Sequence, residues 1–139
     1  MAERVHISPP TCLRRVKRLH DAGLIEREIA VLSVDRLGAV LGHGLCAVVE
    51  ITLDWQDNAA LEAFERRVAT EDAVQQCYRV SPGPDFCLIV HCADMPGYLN
   101  LAQQLFTADT NVRNVKTYFS IKRSKFGARL VLPGLPTQS

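Results

Sequence analysis

Ser8-Pro9-Pro10-Thr11-Cys12-Leu13-Arg14-Arg15-Val16-Lys17-Arg18-Leu19-His20-Asp21-Ala22-Gly23-Leu24-Ile25 reads as a capped helix stopped by a glycine. Ser8 suits the cap, and Pro9 suits the first turn, where a missing N–H costs nothing. Leu13, Val16 and Leu19 fall three apart and so share an apolar edge. Arg14, Arg15, Lys17 and Arg18 cover the remaining faces, with no acid between Thr11 and His20. Gly23 is a left-handed stop after which Leu24 can fold back on the helix. Met1–Val5 reads as the end of a preceding helix, and His6-Ile7 as the turn between the two. A short basic helix after a tight turn has the form that a helix-turn-helix places in the major groove of DNA. Such a unit uses a further helix in front to close its small core.

Outward from this head, Leu24–Ser33 is rich in β-branched residues and predicts one or two short strands, the place of a wing or ribbon. Asp35-Arg36-Leu37-Gly38, with Gly42 and Gly44, reads as a linker. The predicted partition is a head over 1–34, a linker over 35–43, a second domain over 44–125 and a tail over 126–139. Within the second domain Leu45–Leu53 alternates as a strand. Asp57-Asn58 opens a helix with Leu61, Phe64 and Val68 inward. Val74–Val80 is a strand, Ser81-Pro82-Gly83-Pro84-Asp85 a tight loop, and Phe86–Cys92 an apolar strand. Asp94 caps a helix whose inner face is Tyr98, Leu101, Ala102, Leu105 and Phe106, and Val112–Arg123 is the last strand. Strand, helix, strand, strand, helix, strand is the ferredoxin-like order, an α+β sandwich with both helices on one sheet face. Val49, Ile51, Ile89, Phe119 and Ile121 are too apolar for both faces to stay wet, which predicts a second copy packed sheet to sheet.

The chain has 139 residues, with 47% hydrophobic residues and a formal net charge of only +1. That suits one or two small domains with a real core. The charge is uneven: one basic cluster spans Arg14–Arg18, and a second comprises Lys122, Arg123, Lys125 and Arg129. Local patches steer a protein toward phosphate more than net charge does. The five cysteines are odd in number and form no CxxC pair, which argues against a zinc knuckle or a secreted disulfide framework. They read as buried or half-buried thiols. There is no apolar run of membrane-spanning length and no signal peptide pattern, so a cytoplasmic location is expected. His43 and His91 are isolated, and His20 sits near a helix end that favours a cation. No metal site, cofactor or catalytic set is expected, since no nucleophile has a base beside it. Trp55 reads as an interface or capping residue.

The combination of head and ferredoxin-like module resembles the Lrp/AsnC family of transcription regulators. Met1–Leu19 is similar to that family's "LAE-x-V-x-LS-x-x-x-C-x-RR-x-x-RL" signature. Gly23-Leu24-Ile25 is similar to the family's exit from the reading helix, and Val80–Leu88 to its "V-x-G-x-x-D-Y/F-x-L" turn. In that turn Pro82 stands at the usual glycine place and Gly83 follows one residue later, so a different backbone geometry is expected. The family's leading helix is not matched by these residues. The resemblance implies a DNA-binding regulator that responds to an amino acid or related metabolite bound between subunits, and dimers that assemble into rings. Arg14, Arg15 and Arg18 are then the expected phosphate and groove contacts, with Pro10 and Thr11 at the helix tip. Arginine's planar fork suits both tasks. Gly83, Asp85 and Thr117, with Ser81 beside them, are the expected effector contacts. The turn's backbone N–H groups would receive a carboxylate, and Asp85 would receive an α-amino group. Alternatively, Asp85 only satisfies backbone donors of a plain turn. The alternative for the whole chain is a ligand-binding and oligomerisation module with little DNA binding of its own. A small enzyme on the same scaffold is a further alternative.

Overall fold

A computed structural model describes residues 9–42 and 44–130. The expected cap at Ser8, the helix over Met1–Val5, the His6-Ile7 turn, His43 and the far end of the tail lie outside the described residues. The chain divides into two compact units. One holds the residues up to Leu32 together with those from Lys125 onward, and the other spans Ser33–Ser124.

In the first unit, α1 runs Pro9–Asp21. It stops as its sequence dictates. Gly23 takes φ +73, its N–H donates to the His20 carbonyl at 3.0 Å, and the Leu24 N–H donates to the Leu19 carbonyl at 2.9 Å. This paired 6→1 and 5→2 closure satisfies carbonyls that a helix end otherwise leaves open, and glycine is the residue that tolerates its backbone. The inward stripe differs from the expected one. Cys12 is buried and Val16 half-buried, whereas Leu13 is 70% exposed. Positions 12 and 16 lie four apart on one helix face, as 13 and 16 lie three apart, and the small thiol takes the tighter place, while Leu19 stays 39% exposed. No strand forms over Leu24–Ser33. Leu24, Ile29, Val31 and Leu32 stay more than half exposed. β-branched content favours an extended backbone, but a strand needs a paired neighbour.

The second unit opens with a helix where the linker was expected. α2, Val34–Leu41, is capped by Ser33, whose hydroxyl accepts the Arg36 N–H at 3.3 Å, and Asp35 sits in its first turn. Gly42 ends it at φ 86. The glycines of this stretch thus terminate a helix rather than abolish one. β1 (Leu45–Leu53), α3 (Asn58–Ala69), β2 (Val74–Arg79), β3 (Phe86–Cys92), α4 (Met95–Ala102) and β4 (Val112–Phe119) follow in the expected order. Asp57 caps α3 and Asp94 caps α4, each through a side-chain oxygen. A π turn, Gln103–Thr107, extends α4.

The sheet is antiparallel throughout, in the order β2-β3-β1-β4, the ferredoxin-like arrangement. Period-two alternation sorts its faces. Ala47, Val49, Ile51 and Leu53 of β1 and Phe86, Leu88, Val90 and Cys92 of β3 all point into one buried cluster with Phe64, Val68, Tyr98, Leu101, Leu105 and Phe106. Phe64 stacks on Phe86 with ring centroids 4.7 Å apart. Two expectations change here. Val49 and Ile51 are fully buried core residues rather than members of the open face, and Phe119 meets the core residue Tyr98 edge to face at 5.3 Å. β4 also ends at Phe119 instead of Arg123, leaving Ile121 fully exposed outside the strand. The open face keeps Ile89, placed opposite Val48.

Candidate functional site

The first candidate surface is the outer side of α1. Arg14, Arg15, Lys17 and Arg18 are all exposed, as is Pro10, while Thr11 at the helix tip is half-buried. Arg14 reaches back to the Thr11 hydroxyl at 3.3 Å, so the two expected tip and groove residues are already in contact. Spacing of one and three residues spreads the four cations over a wide arc of a helix turning 100° per residue. At the far end His20 bonds the Glu28 carboxylate at 2.7 Å, which ties the helix end to the extended segment after it.

The second candidate surface is the turn between β2 and β3. Ser81 and Gly83 are exposed there, the Ser81–Pro82 peptide is cis, and Gly83 takes φ 106. Nothing lies within 4 Å of the place a Gly83 side chain would occupy. Glycine is therefore demanded by its backbone and not by crowding. Asp85 is committed to the turn's own architecture. Its carboxylate accepts the Leu53 N–H at 2.7 Å and faces the Gln56 amide at 3.5 Å. Its backbone N–H donates to the Ile51 carbonyl at 2.8 Å, and its carbonyl accepts the Val80 N–H at 3.0 Å. Asp85 thus fastens the turn to the end of the central strand β1. Thr117 is elsewhere, on edge strand β4 opposite Val49. Its hydroxyl bonds the Tyr98 hydroxyl at 2.6 Å. Ser81, Gly83 and Asp85 share one turn, which Asp85 joins to β1 at Ile51 and Leu53, and Thr117 stands on edge strand β4, paired to β1 on its other side.

Sequence reasoning missed three features. The helical pattern places Tyr98 on an inner face and says nothing of its hydroxyl, although tyrosine carries a polar handle that seeks a partner when buried. Trp55 is 73% exposed, yet its backbone is gripped on both sides by the Asn111 amide, at 2.9 Å and 3.1 Å. Arg67 pairs with Asp109 and donates to the Gln104 carbonyl at 2.9 Å. Arg67, Asp109 and Asn111 line an open groove of about 470 Å³ with Trp55, Asp57 and Phe64. Spacings of 42 and 56 residues carry no local pattern, so no sequence signal announces them.

The thiols are free, with Cys12 and Cys92 buried and Cys46, Cys77 and Cys87 half-buried. Burial first, and then the neighbouring Glu65 carboxylate, push the Cys77 thiol above its ordinary range. Burial and Asp94 do the same to Cys92. Lys116 is held up by its contact with the Tyr118 side chain and by Glu50 across the sheet. Among the described residues no group of three or more His, Cys, Asp or Glu side chains could hold a metal ion. None of the described helices is long and apolar enough to cross a membrane.

Known proteins match both units. Residues 46–130 match the Lrp/AsnC ligand binding domain, and residues 1–26 match a winged helix-turn-helix DNA-binding domain. A leucine-responsive regulatory protein of Rhizobium meliloti is 35% identical over 125 residues, covering 90% of this chain and 78% of that protein. An uncharacterised HTH-type transcriptional regulator of Haemophilus influenzae is 33% identical over 132 residues, covering 95% and 76%. Among solved structures, a transcriptional regulator of Neisseria meningitidis in complex with L-methionine superposes with a TM-score of 0.75 at 28% identity, covering 95% of this chain and 82% of that one. A helix-turn-helix head, a ferredoxin-like ligand-binding domain and these matches together place the chain in the Lrp/AsnC family of transcription regulators.

Proposed function

We propose that this regulator reads duplex DNA with the outer side of α1 and that an amino acid or a related metabolite changes how its copies assemble on that DNA. The observation that carries the reading is the basic arc Arg14, Arg15, Lys17 and Arg18, exposed and uninterrupted by any acid, on a helix closed by its own glycine stop. Arg14, Arg15 and Arg18 grip phosphates and guanine edges, and Pro10 and Thr11 approach the bases at the helix tip. The L-methionine bound by the Neisseria meningitidis relative supports an amino-acid ligand here.

The exposed turn at Ser81–Gly83 offers backbone N–H groups to a ligand carboxylate. Asp85 acts there by fixing the turn, since its Oδ2 already accepts the Leu53 N–H. Thr117, on β4, belongs to the same response through its hydroxyl contact with Tyr98. The open sheet face supports a homodimer, and dimers join into a ring whose spacing on DNA the ligand biases. The protein works in the cytoplasm and performs regulation rather than catalysis.

The test is fluorescence anisotropy on a duplex from beside the protein's own gene. Arg15→Ala weakens binding and flattens the dependence of log K on log salt. Unchanged affinity with an unchanged slope removes α1 from the groove. Calorimetric titration with a panel of amino acids, run in parallel, gives heat for at least one of them, and none for any would remove the ligand reading.

A further inference from the structure

Thirty residues of this chain, Thr110 to Ser139, contain no aspartate or glutamate, yet carry Arg113, Lys116, Lys122, Arg123, Lys125 and Arg129. The stretch before it, residues 33–109, has the opposite balance, with eleven acids against four lysines and arginines. A net charge of +1 therefore conceals two poles. The positive one is divided between the two compact units. Arg113 and Lys116 lie on β4 in the ferredoxin-like unit. Lys125 and Arg129 fall in the unit that contains α1.

We propose that Lys125 and Arg129 form a second phosphate-contacting element of the DNA-binding unit, separate from the reading helix. Both side chains are exposed. The described part of the segment that carries them, up to Leu130, is neither helix nor strand and leaves Phe126 51% and Leu130 80% exposed. An irregular backbone with cations four residues apart can track a phosphate strand without presenting a face to the bases. Contacts of that kind add affinity and register but carry no sequence information. The proposal rests on the DNA-binding reading of α1, and its test separates the two.

The measurement is the slope of log K against log salt for wild type, Lys125→Gln/Arg129→Gln, Arg14→Gln/Arg15→Gln and Arg113→Gln/Lys116→Gln. Each is titrated with the duplex from beside the gene and with a scrambled duplex of equal length. Circular dichroism melts establish that each variant keeps its fold. Each phosphate contact adds about 0.9 to the slope. Removing Lys125 and Arg129 is expected to lower it by about two per bound chain on both duplexes. The loss of affinity between about 50 and 200 mM salt then shrinks by about tenfold. The β4 pair, which removes the same charge from the other unit, leaves the slope in place. Equal effects from the two C-terminal pairs would reduce the observation to the general field of the protein and overturn the proposal. An unchanged slope for Lys125→Gln/Arg129→Gln beside a lowered one for Arg14→Gln/Arg15→Gln would overturn it while leaving the α1 reading intact. Failure of wild type to bind either duplex at low salt would sink both.

Discussion

Asp85 lies in a turn whose composition suggests a ligand site, and its hydrogen bonds show what that turn requires first. The Leu53 N–H sits at the end of a fully buried strand residue, and Asp85 is its acceptor at 2.7 Å. Removing one partner leaves a shielded donor unmet, which costs about 1–3 kcal/mol. Asp85→Ala should therefore lower unfolding free energy by about 2 kcal/mol in urea melts, with or without ligand. A loss below about 0.5 kcal/mol would mean that water replaces the carboxylate and that the anchor is dispensable. Cys77 provides a second residue-scale outcome, this time in pH. Its thiol is raised in the fold by burial and by Glu65, so the folded chain holds the proton more tightly than the unfolded chain. Stability contributed by the neutral thiol is complete below the unfolded value and is lost as pH climbs through the folded one. Between pH 8 and pH 10, wild type should lose more stability than Cys77→Ala in matched urea melts. Parallel losses in the two proteins would assign the alkaline slope to other groups.

At the scale of elements, caps decide where helices begin. The Asp94 carboxylate accepts the Gly97 N–H at 2.8 Å and opens α4 ahead of Pro96. Asp94→Ala is expected to cost about 1 kcal/mol, read as a lower urea midpoint with an unchanged m-value. No shift would show that Pro96 alone starts the helix. The same local grammar explains how much of the fold was legible in the sequence. Asp57, Asp94 and Gly23 each act within a few residues, and the element borders beside them agree with the expected ones. Ser33 obeys the same rule, but Gly38, Gly42 and Gly44 beside it have the composition of a linker and mask the cap. Alternation along β1 gave the strand but not its phase. Glu50 puts a charge on the side of β1 that carries Cys46 and Val48, which marks that side as the open one and leaves Ala47, Val49 and Ile51 for the core; the apolar residues on both sides hide this cue when Glu50 is weighed alone. Leu24–Ser33 failed for a related reason, since extended propensity does not supply a partner strand. The candidate site divides the same way. The basic arc of α1 is a one-helix pattern and was visible. The commitment of Asp85 to Leu53, and of Thr117 to Tyr98, spans 32 and 19 residues and was not.

For the molecule as a whole, the open sheet face decides what the second unit can do. Its central row runs Gln76, Ile89, Val48, Tyr118 across all four strands in register. The next row is Tyr78, Cys87, Glu50, Lys116, where Glu50 and Lys116 oppose one another as unlike charges. An antiparallel sheet tolerates one wet face, yet water gains nothing from a row of isoleucine, valine and tyrosine with a charged pair to one side. A second copy related by a two-fold axis would cover that row with its own and leave the charged pairs toward the rim. Val48→Asp tests this because Val48 is only half-buried in the single chain and can carry a charge without entering the core. Sedimentation velocity should show wild type as a dimer or larger and Val48→Asp as a smaller species, with the melting temperature falling only as far as lost association requires. Ile51→Ala, on the buried face of the same strand, is the contrasting case. It should cost about 2–5 kcal/mol of fold stability while the surviving folded chain still associates. Were Val48→Asp to sediment like wild type, the sheet would be facing solvent after all, and any assembly on DNA would have to be built from another surface.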